Sequence, residues 1–324
     1  MADSIDAYAT CNALTRRAHA LAERALDTGR IKDYLFGARR RGVGIMLGGN
    51  GMRTRFGLAI IGVIFLAAVL VGTLRPVSGQ AQGGAMPRTA DGKPDFTGIW
   101  QAMNSANWDL QAHAAQRGPV IALGAAFSVP PGPGVVDGNE IPYLPAAAAK
   151  KSENGANWLA RDPEIKCYLP GVPRMMYMPY PIQIVQSRDT TLMSSEFASA
   201  SRTIRMNTKE KSPTDTWMGW SIGRWEGDTL VIEVTDQNDQ TWFDRAGDFH
   251  SEALKVVERY SALDRNTINY EATMEDPKTF SRTWKISMPL YRHLEKNAQV
   301  MEYKCVEFVE ELMYGHLRKQ PTTP

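Results

Sequence analysis

Five acidic side chains and one histidine are concentrated between residues 236 and 252, in the string DQNDQTWFDRAGDFHSE. A histidine that is oriented by a carboxylate can act as a general base. Because residues two apart on a strand point to the same face, His250 could pair with Asp248 or Glu252. The spacing therefore permits acid–base catalysis by His250. The alternative is a polar loop whose carboxylates cap turns and pair with Arg245.

Aromatic residues near this segment could form the wall of an apolar binding pocket. The candidates are Trp217, Trp220 and Trp242. Tryptophans suit such a pocket, but they could equally fill the interior of a barrel. One functional hypothesis is therefore a periplasmic β-barrel enzyme or carrier for a small apolar ligand.

The motifs that would indicate a cofactor are missing from the sequence. The five histidines are scattered without HxxxH spacing, and no CxxC pair is present, so zinc is poorly supported. A calcium site in the acidic segment is conceivable, but the string lacks the central glycine and terminal glutamate of an EF-hand. The chain contains no CxxCH, GxGxxG, P-loop or GxSxG motif. We therefore expect no metal and no cofactor, and no motif assigns an enzymatic activity.

Residues 162–186 are rich in methionine, tyrosine and proline. Methionine and tyrosine are common at adaptable binding surfaces. The partner-binding candidates are Met175, Met176, Tyr177, Met178 and Tyr180. The alternative is an entry strand, stiffened by proline, that packs into the core.

Short apolar or alternating runs, separated by turn residues, position these candidates. Their spacing predicts a mainly β fold, an antiparallel meander of about eight strands that forms a barrel or sandwich. The string RWEGDTLVIEV predicts a hairpin that turns at residues 226–228. The runs are Ile182–Gln186, Thr191–Phe197, Thr203–Met206, Ser221–Trp225, Thr229–Val234, Leu254–Ser261, Thr267–Thr273, Ser281–Met288 and Gln299–Val306.

The predicted β domain covers residues 95–324, with ordered structure beginning at PDFTGIW. Residues 118–149 are rich in glycine and proline and are predicted to form an irregular arm that could drape over another protein. Residues 76–94 lack apolar periodicity and are predicted to be a flexible linker. Cys167 and Cys305 could form a disulfide in an oxidising compartment, or they could be two buried thiols.

The segment before the linker has the charge pattern of a membrane anchor. Residues 1–55 contain ten Lys and Arg against five Asp and Glu, whereas residues 76–324 contain 26 against 30. The 19 residues Phe56–Leu74 carry no charge, which is long enough to span a bilayer. We predict a basic cytoplasmic helical segment (1–55), a transmembrane helix (56–75) and a periplasmic body. Alternatively, the chain starts at Met52 and is cleaved after Ala81.

Several strings in the chain resemble an uncharacterised family of exported bacterial β-domain proteins. They are PDFTGIW, DPEIKCYLPGVPR, GRWEGDTLV, FHSE, YEATMEDP and RTW, spread over residues 94–310. The resemblance implies a periplasmic β domain whose shared pattern includes Cys167 and Cys305, but it brings no established activity. Members usually begin with an ordinary leader, whereas this chain has about 50 additional residues in front.

The sequence as a whole favours a structural function. We expect a single-span, membrane-anchored periplasmic accessory subunit in the inner membrane. Its partners would be the lipid bilayer and a larger integral membrane complex, of the respiratory or photosynthetic type. The body has no basic stripe, so nucleic acid is not an expected partner.

Overall fold

The computed structural model describes residues 84–118 and 120–317. The predicted cytoplasmic segment (1–55), the predicted transmembrane helix (56–75) and most of the predicted linker lie outside these residues. Within the described part of the chain, no helix combines the length and hydropathy needed to cross a bilayer.

The described residues form a closed barrel of nine β-strands, in which neighbours along the chain are also neighbours in the sheet. The prediction of a mainly β barrel is confirmed. The strands are β1 (Gly98–Ala102), β2 (Ile182–Gln186), β3 (Thr190–Ser195), β4 (Ser201–Met206), β5 (Trp220–Glu226), β6 (Thr229–Thr235), β7 (Lys255–Asp264), β8 (Thr267–Glu275) and β9 (Trp284–Arg292).

One pair of neighbouring strands is parallel, so the predicted purely antiparallel meander is wrong. β4 pairs with β5 in parallel, with Ile204 opposite Ser221, whereas β1 closes the barrel by antiparallel pairing with both β2 and β9. An odd number of strands cannot close into a ring through antiparallel pairs alone. The long connection 207–219 lets the chain return to the same end of the barrel before β5 begins.

The last predicted strand is also wrong. Residues 299–306 are irregular and lead into a short C-terminal helix. The physical reason is barrel closure, because β9 already pairs with β8 on one side and β1 on the other. No edge of the barrel remains for another strand.

The hairpin predicted for RWEGDTLVIEV is confirmed as β5 and β6. Glu226 pairs with Thr229, which leaves Gly227 and Asp228 as the turn. Gly227 has a φ of 61°, a backbone conformation that glycine adopts without steric cost. Leu230 and its alternate neighbours on β6 are buried in the hydrophobic core.

Side chains fill the inside of the barrel. Alternate residues of the long strands β7, β8 and β9 are buried, as expected where one face of a strand points inward. The apolar residues among them belong to one continuous hydrophobic cluster, which includes Val256, Tyr260, Ile268, Tyr270, Ala272, Met274, Ile286, Met288 and Leu290.

Two segments are more ordered than predicted. The end of the supposed linker packs against the barrel, because Arg88 donates two hydrogen bonds to the carboxylate of Asp228 in the β5–β6 turn. The Ala-rich end of the supposed arm is a helix, α1 (Pro145–Ala156), with proline in its first turn. Alanine is the strongest helix former, and proline is well tolerated at a helix start.

The remainder of the arm runs along the protein's own barrel. Val136 forms a β-bridge with Ile286 of β9, and Tyr143 forms one with Phe280. The other helices are α2 (Trp158–Arg161) and α3 (Val309–Tyr314), and the 3-10 segments are Ile121–Phe127, Asp137–Asn139, Arg174–Met176, Phe197–Ser199 and Gly315–Leu317.

Candidate functional site

A disulfide joins Cys167 to Cys305, with 5.7 Å between their Cα atoms. The predicted pairing is therefore confirmed. It fastens the C-terminal segment to residues 162–174, next to the barrel. The same region holds a buried ionic network, which we call the Arg174 centre (Asn107, Asp162, Glu164, Arg174 and Arg245).

Two guanidinium groups and two carboxylates neutralise one another in the Arg174 centre. Arg174 donates hydrogen bonds to both oxygens of Asp162 (2.8 and 2.9 Å) and to Glu164 (2.7 Å). Arg245 donates to both oxygens of Glu164 at 2.8 Å. Burial alone would raise the pKa of Glu164, but the charges of Arg245 and Arg174 hold it at about 2. Each of these buried charges thus has a partner of opposite sign. Such pairing is what a stable buried ionic network requires.

A second paired network lies in the barrel interior. Arg202 on β4 donates to both oxygens of Glu258 on β7, at 2.6 and 2.9 Å. The hydroxyls of Tyr260 and Tyr270 donate to the same carboxylate at 2.9 and 2.8 Å. These side chains occupy the volume that a ligand inside the barrel would need.

His250 is buried, with 1% of its surface exposed. Its Nδ1 donates to the carbonyl of Ser251 at 2.8 Å. Its Nε2 can then accept from Thr241 Oγ1 at 2.6 Å and from Gln237 Nε2 at 3.1 Å. Burial lowers the pKa of His250, which favours the neutral ring. Both nitrogens therefore have hydrogen-bond partners within the protein.

The two carboxylates proposed to orient His250 have other partners. Asp248 accepts a hydrogen bond from the Tyr143 hydroxyl at 2.8 Å. Glu252 is exposed and forms an ion pair with Lys278. The chain at 248–252 is irregular rather than a strand, so the expected alternation of faces does not apply there.

The three candidate tryptophans are each partly buried. Trp217 packs on Tyr168, with ring centroids 4.9 Å apart. Trp220 alternates with the buried Ser221 on β5, so it points away from the interior, and Arg205 stacks on it at 3.7 Å. Trp242 forms a β-bridge with Phe249.

The methionine- and tyrosine-rich segment belongs to the core, which corrects its prediction as a partner surface. The exposed fraction is at most 1% for Met175, Met176, Tyr177 and Met178. Tyr180 is half-buried and packs against Phe197 and Tyr303. Composition alone did not distinguish a surface from an interior here.

The structure also brings Asp109, which the sequence did not indicate, to two members of the acidic string, forming the carboxylate cluster (Asp109, Asp244 and Asp248). One oxygen from each residue lies within 4.8 Å of the other two. Burial and the neighbouring charge of Asp248 raise the pKa of Asp244 well above its usual value. Burial likewise raises the pKa of Asp109. Asp109 is far from the other two in the chain, so no local motif could have revealed the cluster.

A cleft of about 220 Å³ reaches Asp109 of the carboxylate cluster. Asp109 lines the cleft together with Trp108, His113, Trp158 and Arg245. Arg245 stacks on Trp108, with its guanidinium carbon 4.3 Å from the ring centroid. A cleft lined by a carboxyl group whose pKa is shifted has the character of a binding site.

No protein-family model matches the chain. No curated protein has a significant match to it either.

Proposed function

We propose that the protein is a single-span, membrane-anchored periplasmic accessory subunit. Its β-barrel domain would dock on and stabilise a larger inner-membrane complex of the respiratory or photosynthetic type. The filled barrel interior is the observation that carries this proposal. A barrel whose interior is occupied by its own side chains has its outer surface available for function.

The C-terminal segment offers a surface for such docking. Four large apolar side chains between residues 306 and 317 are exposed: Val306, Leu312, Met313 and Leu317. Leu312 has an exposed fraction of 70%. Apolar side chains exposed together often mark an interaction surface. The disulfide at Cys305 holds this segment on the barrel, which would reduce the entropic cost of binding.

The enzyme or carrier alternative has less support. It needs a cavity that reaches His250 and is lined by Trp217, Trp220 and Trp242. His250 has both ring nitrogens hydrogen-bonded within the protein, and Trp220 points away from the barrel interior.

Extraction of the full-length protein from its native membranes in mild detergent tests the proposal. On a native gel we expect it to migrate with a larger complex, and migration only as a free monomer would contradict the proposal. The double variant Leu312→Glu/Met313→Glu should release it. Leu263→Glu, at another exposed apolar position (63%), should not.

The anchor can be tested separately by sequencing the N-terminus of the mature protein. We expect a start that precedes residue 56. A start just after Ala81 would show that the apolar segment is removed and would contradict the anchored form.

A further inference from the structure

We propose that Asp109, Asp244 and Asp248 bind one hard divalent cation, with Ca²⁺ the preferred ion. The proposed cation site does not depend on the proposed docking function. It also differs from the sequence-based expectation of no metal, because Asp109 comes from a distant part of the chain.

The spacing of the three carboxylates suits a single cation. Oxygens that coordinate Ca²⁺ lie about 2.3–2.6 Å from the ion, so two of them can be no more than about 5 Å apart. The three carboxylate oxygens are all within 4.8 Å of one another. One ion can therefore be reached by all three residues with little rearrangement.

A buried oxygen that accepts no hydrogen bond gives a second reason. Asp248 is fully buried, and its Oδ2 atom accepts no hydrogen bond from any described residue. Three other buried side-chain atoms in the described chain also lack a hydrogen-bond partner, but Asp248 Oδ2 is the one that belongs to a carboxylate. A buried carboxylate oxygen without a hydrogen bond is costly, and the Lys151 ammonium at 3.8 Å is too far away to supply one. A bound cation would remove this cost.

The charges around the cluster are also unbalanced. Among the described residues, Lys151 on α1 forms an ion pair with the carboxylate cluster. The Lys151 Nζ lies 3.8 Å from Asp248 Oδ2. His113 also acts electrostatically on Asp109. When all three carboxylates are ionised, as cation binding requires, the one ammonium leaves an excess of two negative charges, which a divalent ion would neutralise.

Hydrogen bonds hold the carboxylates in place without using all of their lone pairs. The two oxygens of Asp244 accept from the backbone N–H groups of Leu110 (2.9 Å) and Asp248 (3.1 Å). Asp109 accepts from the N–H of Gln111 at 2.8 Å. Because a carboxylate oxygen has two lone pairs, each can still coordinate an ion.

Two glycines bring α1 and the acidic segment into close contact. A Cβ on Gly247 would lie 2.4 Å from the backbone nitrogen of Gly155, and one on Gly155 would lie 2.5 Å from the carbonyl oxygen of Ala246. Gly247 also has a φ of 92°. This close packing fixes the distance between Lys151 and Asp248, and the cleft at Asp109 provides an entry path.

Calcium is favoured over magnesium by the ligand type and geometry. Three protein carboxylates in an irregular arrangement suit the flexible coordination of Ca²⁺, whereas Mg²⁺ requires a nearly ideal octahedron and retains most of its waters. The competing explanation is a proton shared between Asp244 and Asp248. It would satisfy the unpaired oxygen without any metal.

The test uses the full-length protein, treated with a chelator and then titrated with CaCl₂. We expect one Ca²⁺ per chain by atomic absorption after dialysis. With Ca²⁺ at about 100 times Kd, we expect Tm to rise by about 5–10 °C. Terbium should also bind and luminesce through excitation of Trp108, which lines the same cleft as Asp109.

The variant Asp248→Asn should lose at least tenfold in Ca²⁺ affinity while raising Tm in chelator, because one negative charge is removed. Asp215→Asn, at an exposed aspartate, is the matched control and should change neither value. If Asp248→Asn fails to fold, Asp109→Asn at the edge of the cleft serves as the second variant.

Three results would overturn the proposal. One is the absence of any Tm shift with Ca²⁺. Another is unchanged Ca²⁺ affinity in both Asp248→Asn and Asp109→Asn. The third is a larger shift with Mg²⁺ than with Ca²⁺, which would contradict the choice of calcium. Without a Ca²⁺ effect, a lower Tm for Asp248→Asn in chelator would instead favour the shared proton.

Discussion

Two buried clusters of charged side chains are built from neighbouring residues, yet their charges balance differently. The Arg174 centre has two guanidinium groups against two carboxylates. The carboxylate cluster has three carboxylates and an ion pair to one lysine. Asn107 and Arg245 belong to the first cluster, whereas Asp109 and Asp244 belong to the second. Burial of charge alone therefore does not indicate a binding site, and an unneutralised charge is the better sign.

The largest expected effect comes from breaking the balanced cluster. Arg174→Met leaves Asp162 buried without its cation and Glu164 with Arg245 alone, and we expect the free energy of unfolding to fall by about 3–5 kcal/mol. Urea denaturation measures this change in the free energy of unfolding. Arg224→Met, which removes an exposed ion pair with Glu226, is the control and should cost much less. Equal losses for the two variants would contradict the structural importance of the Arg174 centre.

The next effect concerns the disulfide, which holds the C-terminal segment against the same centre. Arg245 lies 3.8 Å from Glu310 of that segment. Cys167→Ser/Cys305→Ser should lower the free energy of unfolding by about 2–4 kcal/mol, because the unfolded chain gains freedom. Cys11→Ser is the control for a cysteine-to-serine change outside the disulfide. Reductant should destabilise the wild-type protein but leave the double variant unchanged, and equal sensitivity of the two would contradict this prediction.

A smaller effect is expected from the single lysine beside the unbalanced cluster. In chelator, Lys151→Met should destabilise the protein by about 0.5–1.5 kcal/mol, because Asp248 loses its partially buried counter-ion. The same variant should bind Ca²⁺ severalfold more tightly, since a repelling positive charge is gone. Calorimetric titration measures this, with Lys278→Met, an exposed lysine, as the control. Weaker Ca²⁺ binding by Lys151→Met would contradict the proposed position of the ion.

The smallest effect concerns His250, a buried polar group that is neutral rather than charge-paired. Burial lowers its pKa in the folded state. Above the unfolded pKa of about 6.5 neither state binds the proton, so stability is unaffected. Below that pH the unfolded chain binds a proton that the folded protein does not. Stability should therefore fall with decreasing pH, by at most about 1.4 kcal/mol per unit for this one group.

The variant His250→Gln isolates this contribution. Urea denaturation at pH 7.5 and 5.5 should show a smaller loss for His250→Gln than for the wild type. Carboxylates such as Asp244 titrate in both proteins, so the difference between the two reports on His250. Identical pH dependence would show that His250 takes up its proton equally in both states.

The barrel was predictable because its strands carry local signals. Alternating burial on β8 follows the alternation of apolar residues in the sequence, and Gly227 marks the β5–β6 turn. The parallel pair β4–β5 was not predictable, because it depends on the total number of strands in the closed barrel. The alternation in residues 299–306 resembled a strand, but no partner was left for it.

The candidate site was far less predictable. The acidic string identified Asp244 and Asp248, but Asp109 joins them only through the fold. The supposed pairing of His250 with Asp248 assumed a strand, and the chain there is irregular. Local sequence shows which residues are acidic, but it does not show which distant residue will approach them.

The place of β1 in the barrel has a consequence for synthesis on the ribosome. β1 is the first strand of the barrel, yet one of its two partners is β9, the last. A nascent chain that has produced β1 to β8 is still an open sheet, with unpaired backbone groups at both edges. Such edges pair readily with other chains. Truncation before residue 284 should therefore yield aggregates rather than a smaller soluble barrel, and the unfinished chain would benefit from a chaperone until β9 emerges.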